Sequence, residues 1–188
     1  MRVREQATYA DLLKVPDTMV AEIIEGELYA SPRPGLPHAD ATTELTSRLR
    51  VTYGRRGGPP GGWHILFEPE LHLGRDILVP DIAGWRVERV PALPHTAAID
   101  IAPDWICEVV SPSTMRVDRA VKMPIYARHA VQYAWLVDPE AQTLEVRQLT
   151  EDGRWSEIGV YTADAVVRAV PFEEVEIDLA SIWGPPPA

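Results

Sequence analysis

Cysteine and long apolar runs are both scarce in this sequence. Cys107 is the single cysteine among 188 residues, which excludes an intramolecular disulfide and any zinc site built from several cysteines. No apolar run approaches the roughly 18 residues of a membrane-spanning helix. Residues 1–5 are not followed by the apolar segment of a secretory signal peptide. We therefore expect a cytoplasmic protein without membrane contact.

Positive charge is also limited, and lysine is nearly absent. Lys14 and Lys122 are the only lysines among 18 basic residues, and 28 acidic residues bring the formal net charge to −10. This balance argues against a protein that coats nucleic acid by bulk charge, because phosphate binding needs a cationic surface. It does not exclude an enzyme that contacts nucleic acid at one local site.

The composition and the order of segments predict one mixed α/β domain over residues 1–188, with a short proline-rich tail at 184–188. A hydrophobic content of 46% is ordinary for a globular chain, and a chain of this size can bury roughly 70% of its unfolded surface. Helices are expected at 9–15, 37–53 and 116–129, and an N-terminal β-hairpin at 19–24 and 27–31. Further strands are expected at 63–67, 70–73, 77–85, 104–110 and 133–137, and a C-terminal meander at 143–149, 155–161 and 165–170.

Two acidic residues interrupt apolar strand patterns. Asp81 lies in LVPDIA and Glu108 in ICEVV. A carboxylate at a buried strand position is costly unless it is paired, protonated or bound to a metal. Two such acids can bind a hard cation such as Mg²⁺. The alternative is that each acid ends a strand at the sheet edge and faces water or an arginine.

Lys122 follows the Glu108 strand, on the next predicted helix. A connection from strand to helix can bring a lysine back over the carboxyl end of the strand, within reach of a water or a scissile phosphate. The alternative is a solvated lysine on the helix surface.

Several segments, in their order along the chain, resemble the signature blocks of the Uma2 family of the PD-(D/E)XK nuclease superfamily. The three main blocks are VPDIA at 79–83, ICEVVSPST at 106–114 and DRAVKMPIYAR at 118–128. EIIEGEL at 22–28, Ser31-Pro32 with His38, and YAWLVDP at 133–139 resemble further blocks. The resemblance runs from about residue 8 to residue 183. It implies a restriction-endonuclease-like mixed sheet flanked by helices, with an extra N-terminal hairpin and a C-terminal β meander.

The resemblance also implies a nuclease site. In that superfamily an Asp and a Glu bind Mg²⁺ or Mn²⁺, and a lysine positions and activates water. Asp81 and Glu108 match the two acids, and the Val109 carbonyl offers a further metal ligand. The usual lysine position corresponds to Val110, which cannot serve. Uma2-like sequences place a lysine on the next helix, and Lys122 matches it.

Glu22 and His38 are supporting candidates. Glu22 could add a carboxylate or hold Lys122. His38 falls in the first turn of a predicted helix, where backbone N–H groups favour an anion, although a surface histidine is the plainer alternative.

The densest basic stretch comprises Arg48, Arg50, Arg55 and Arg56. It could contact a phosphate backbone beside the site, and it could equally be a solvated helix end next to a mobile loop rich in glycine and proline.

The sequence therefore predicts a Mg²⁺- or Mn²⁺-dependent endonuclease acting on DNA, with a homodimer as an open alternative to a single chain. The rival hypothesis is a nuclease-fold module that binds nucleic acid or a protein partner without cutting. The complete set of Asp81, Glu108 and Lys122 argues against loss of catalysis, whereas the net charge mildly favours a protein partner.

Overall fold

The computed structural model describes residues 6–54, 61–112 and 114–183. The expected tail at 184–188, the first five residues, and Arg55 and Arg56 lie outside the described residues. The helices are α1 (Tyr9–Leu12), α2 (Leu36–Tyr53), α3 (Met115–Val117) and α4 (Met123–Arg128), with a π-helical segment (Asp118–Lys122) between α3 and α4 and a 3₁₀ turn at Leu179–Ser181. Within the described part of the chain, no helix is long and apolar enough to cross a membrane.

The strands form two large sheets and one small one. The first sheet has the order β2-β1-β5-β4-β7, the second β11-β10-β9-β8-β6-β3, and β12 pairs with β13. In chain order the strands are β1 (Met19–Ile24), β2 (Glu27–Pro32), β3 (Trp63–Phe67), β4 (Glu70–Leu73), β5 (Asp76–Leu78), β6 (Ile82–Arg86), β7 (Ala98–Ile99), β8 (Trp105–Val109), β9 (Tyr133–Asp138), β10 (Thr143–Leu149), β11 (Trp155–Thr162), β12 (Val166–Val167) and β13 (Ile177–Asp178). The expected mixed α/β architecture is confirmed.

The central strand of the second sheet is β8, as its apolar sequence predicts. All five of its residues are buried, and it pairs parallel with β9 and antiparallel with β6. Because it has a neighbour on each side and is covered on both faces, its apolar residues need not alternate with polar ones.

The N-terminal hairpin is confirmed in the first sheet. Glu25 and Gly26 connect its strands, with φ angles of 53° and 83°. Positive φ at both turn positions is the requirement of a two-residue type I′ turn, and glycine meets it without a Cβ clash. Leu12 of α1 packs against Ile23 and Ile77 of the sheet, which fixes the hairpin over the N-terminal segment.

The predicted single strand over 77–85 is wrong. The chain leaves the first sheet after β5 and enters the second at β6, and residues 79–81 form the crossing. Pro80 has no N–H to offer a strand ladder. The Val79 N–H donates to the Glu22 carboxylate at 2.7 Å instead of to a neighbouring strand. The break places Asp81 immediately before β6.

Two other segments also differ from the sequence-based expectation. Strands β9, β10 and β11 form the expected meander, but the segment 165–170 does not extend it, because Val166–Val167 pairs with Ile177–Asp178 in the small sheet. The helix over 116–129 is interrupted by the π-helical segment just before Pro124. There the Met123 N–H bonds to the Asp118 carbonyl, five residues earlier, and the missing N–H of proline falls in the first turn of α4, where it is tolerated.

An aromatic cluster fills the core beneath α2. Phe172 stacks against four other rings, with centroid separations from 4.8 to 5.6 Å; the partners are Tyr53, Trp63, Trp105 and Trp135. Edge and tilted contacts of this kind add to the free energy gained by burying the rings. They hold the C-terminal end of α2, where Tyr53 lies, against the second sheet.

Asp76 offers a test of how the hairpin is attached. Its buried carboxylate accepts the Glu25 N–H at 2.7 Å and pairs with Arg128 of α4 at 3.1 Å. We expect Asp76→Ala to lower the free energy of unfolding by about 1–3 kcal/mol, because the change leaves the Glu25 N–H and the Arg128 guanidinium without their buried acceptor. Urea unfolding followed by tryptophan fluorescence would measure this. The control is Asp152→Ala, which removes an exposed partner of Arg154 and should cost under about 0.5 kcal/mol. Equal effects would contradict the structural role of Asp76.

Candidate active site

A cavity of about 400 Å³ lies where the chain crosses between the two large sheets. The hairpin β1–β2 forms one wall, and the end of β8 with the π-helical segment forms the opposite wall. We call it the intersheet cavity. The predicted site residues that line it are Glu22, His38, Asp81, Glu108, Val109 and Lys122. Residues separated by up to 100 positions in sequence therefore meet around one space.

Lys122 is buried in a cluster of carboxylates. Its side chain is 4% exposed, and its Nζ lies 3.0 Å from Glu108 Oε1, 3.1 Å from Glu22 Oε1 and 3.4 Å from Asp118 Oδ1. Burial by itself favours the neutral amine. The carboxylates of Glu108 and Glu22 outweigh that effect and hold the pKa of Lys122 well above its usual value. The alternative of a solvated helix lysine is wrong.

Glu108 is the most deeply buried acid of this cluster, with a side chain 2% exposed. The Tyr126 hydroxyl donates to the same Oε1 atom at 2.7 Å. Burial raises the pKa of Glu108 well above its usual value, against the attraction of Lys122, and Asp118 and Asp81 push it in the same upward direction. Both shifts favour the protonated forms, so burial gives Glu108 a higher proton affinity than an exposed glutamate has.

Asp81 connects the crossing to the end of β8. Its Oδ2 accepts the Val109 N–H at 2.7 Å, and its Oδ1 lies 3.2 Å from His38 Nε2. The side chain remains 17% exposed, so this carboxylate faces the cavity more openly than Glu108 does. Neither acid fits the alternative of a residue at an open sheet edge.

His38 belongs to the first turn of α2 and stands over Asp81. Burial alone would lower the pKa of His38, but the hydrogen bond and charge of Asp81, with Asp118 and the Val109 backbone, raise it overall. Its Nδ1 lies 3.3 Å from Thr42 Oγ1, one helical turn further on. With a side chain only 13% exposed, His38 is not the surface histidine of the alternative.

Two members of the cluster, Asp118 and Tyr126, were not predicted from the sequence. Both lie four residues from Lys122, one before and one after it. On a helix that spacing places side chains on one face. The pattern could have identified both, since an acid and a phenol flanking the proposed lysine at helical spacing are its natural contacts.

The basic stretch does not reach the intersheet cavity in the described residues. Arg48 pairs with Glu44 at 2.6 Å along the helix, and Arg50 donates to the Ile65 carbonyl at 3.2 Å. Arg55 and Arg56 lie outside the described residues. A contact between this stretch and nucleic acid stays a prediction.

The oxygen donors on the cavity wall suit a hard divalent cation. Asp81 and Glu108 have carboxylate oxygens and Val109 a carbonyl oxygen, and all three residues line the cavity. Mg²⁺ usually takes one or two protein carboxylates and completes its shell with water and phosphate. Within the described ranges, no group of three His, Cys, Asp or Glu side chains is gathered closely enough to hold a metal ion by itself. The residues therefore fit an ion that depends on water and substrate for the rest of its ligands.

Comparisons with known proteins identify the family and the fold of the chain. The family model Uma2, described as "Putative restriction endonuclease", matches residues 7–180. The chain is also similar to a solved structure described as a "putative nuclease belonging to DUF820" from Anabaena variabilis ATCC 29413, with 25% identity, a TM-score of 0.74, and coverage of 94% of this chain and 97% of that one. No protein of curated function shows a significant match. Since the family model spans most of the chain, the protein belongs to the Uma2 family and has a restriction-endonuclease-like fold.

Proposed function

We propose that the protein is an endonuclease that hydrolyses phosphodiester bonds in DNA with the help of Mg²⁺ or Mn²⁺. The observation that carries the proposal is that Asp81, Glu108 and Lys122 line one cavity in a member of a nuclease family. Asp81 and Glu108 would hold the cation together with the Val109 carbonyl. When bound, such an ion lowers the pKa of water and neutralises charge on the phosphate.

The charge of the cavity supports a need for a cation. Among the described residues that line it, five are acidic: Glu22, Glu68, Asp81, Glu108 and Asp118. Among the same lining residues, the permanently cationic side chains are those of Arg33 and Lys122. A phosphodiester is an anion, so an excess of carboxylates repels it until positive charge is added. Protonated His38 contributes one such charge beside Asp81.

Lys122 would act as the positioning and charge-stabilising group. Glu22 and Asp118 hold its ammonium beside Glu108, which fixes the directions of the N–H groups of Nζ. Because the ammonium is already in position, it does not have to move when negative charge develops on the phosphate during the reaction. Tyr126 would fix the other acid by its hydrogen bond to Oε1 of Glu108.

Cleavage assays on supercoiled plasmid with Mn²⁺ would test these roles. We expect Asp81→Ala and Glu108→Ala to abolish cleavage, because each removes a carboxylate that holds the cation. Lys122→Ala should reduce the rate by about 10²–10³-fold, the usual cost of losing one pre-oriented stabilising group. Lys14→Ala is the matched control, since Lys14 is the other lysine and pairs only at the surface with Asp11 in the described structure. If wild-type protein cuts no plasmid, linear duplex or single strand, the module that binds without cutting becomes the better hypothesis.

Stability measurements would show whether charge is what Lys122 contributes to the fold. Lys122→Met keeps much of the buried volume but leaves the acids without their cation, so we expect the metal-free protein to lose about 3–5 kcal/mol near pH 8. The pKa of Glu108 is raised in the folded state, and its protonated form favours folding. The charge of Lys122 opposes this rise, so the pKa of Glu108 rises further in the variant. The variant therefore recovers stability as Glu108 takes up its proton at lower pH, and the penalty should shrink towards about pH 5.

Chemical unfolding at the two pH values, with Lys14→Met as the control, measures this difference. A penalty that is the same at both pH values would show that Lys122 supports the fold by packing and not by charge.

A further inference from the structure

We infer, resting on the proposed function, that the intersheet cavity takes an unpaired nucleic-acid strand, one nucleotide at a time, and not the outer face of an intact duplex. Three features of the cavity support this inference. They are the burial of Lys122 and Glu108, the aromatic ring of Tyr29, and the half-exposed side chain of Arg33. The proposed function itself leaves open whether the strand is paired.

The depth of the site favours a flexible strand. Lys122 and Glu108 are 4% and 2% exposed, and Glu22 is 12% exposed. They line a cavity of about 400 Å³ that is enclosed by strands of both large sheets, the start of α2 and the π-helical segment. An intact duplex is a stiff rod with a persistence length of about 150 base pairs. Its phosphates cannot follow the wall inward, whereas a nucleotide of an unpaired strand can turn into such a recess.

The hairpin supplies a wall on which a base can stack. Tyr29 on β2 pairs in register with Glu22 on β1, and the next inward-facing pair is Ser31 with Val20. All four line the cavity. The phenol ring of Tyr29 is therefore a direct neighbour of a carboxylate that holds Lys122. A base stacked on this ring would bring its phosphate towards the lysine, and stacking on an aromatic ring tolerates any base.

Arg33 stands at the mouth of the same cavity. It is 53% exposed and pairs with Glu68 Oε2 at 2.6 Å, and both side chains line the cavity. A half-exposed ion pair of this kind contributes little stability, so Arg33 can exchange its carboxylate for a phosphate at small cost. That exchange would hold a phosphate of the strand on the wall of the cavity that contains the buried lysine.

Variants of the hairpin test the inference with three substrates of one sequence: a DNA strand, the same DNA annealed to its complement, and the corresponding RNA strand. With Mn²⁺, we expect the DNA strand to be cut at least about tenfold faster than the duplex. Tyr29→Ala should raise KM for the strand roughly 5- to 150-fold, the loss expected for one stacked base. Tyr29→Phe should stay within about twofold of wild type, because it keeps the ring. Leu28→Ala is the control, since Leu28 is the exposed neighbour of Tyr29 on the opposite face of the strand.

The outcomes separate the inference from the proposed function. A duplex cut as fast as the strand, with Tyr29→Ala unaffected, would overturn the inference and leave the endonuclease proposal intact. Cleavage of the RNA strand alone would support the unpaired strand and overturn DNA as the substrate. If none of the three substrates is cut, the proposed function fails, and the inference falls with it.

Discussion

The ammonium group of Lys122 holds together acids from three separate parts of the chain. Glu22 comes from the hairpin, Glu108 from the central strand and Asp118 from the π-helical segment, and each lies within 3.4 Å of Nζ. Three carboxylates taken out of water repel one another, and their desolvation is costly without a cation among them. The packing of the two sheets and the helical segment around the cavity depends on this single charge.

The crossing at residues 79–81 brings the carboxylates of Glu22 and Asp81 to the cavity. When the chain leaves the first sheet, backbone N–H groups lose their strand partners and need other acceptors. The Val79 N–H donates a hydrogen bond to Glu22, and the Val109 N–H at the end of β8 donates one to Asp81. The same carboxylates that satisfy the backbone therefore face the cavity. These backbone hydrogen bonds hold the carboxylates of Glu22 and Asp81 in place.

Local sequence patterns predict some elements of this structure but not others. The apolar run of β8 and the turn signal at Glu25-Gly26 predict their elements, because each pattern acts over a few neighbours. The change of sheet at Pro80 and the pairing of β12 with β13 depend on distant partners, which no local pattern contains. Asp81, Glu108 and Lys122 were proposed because a charge inside an apolar run, or a rare lysine, requires an explanation, and the structure brings all three to one cavity. The hydrogen bond from Tyr126 to Glu108 was not predicted, although the helical spacing of Tyr126 from Lys122 indicates that they share a face.

The central claim is that Asp81 and Glu108 share one divalent cation in the intersheet cavity. Titration of metal-free protein with Mn²⁺ in a calorimeter tests it directly, because binding is read without any substrate. The account predicts about one ion per chain for the wild type, no binding for Asp81→Asn or Glu108→Gln, and unchanged binding for Asp152→Asn on the surface. Binding of equal affinity in the wild type and in Asp81→Asn, or no binding of Mn²⁺ in the wild type, would contradict it.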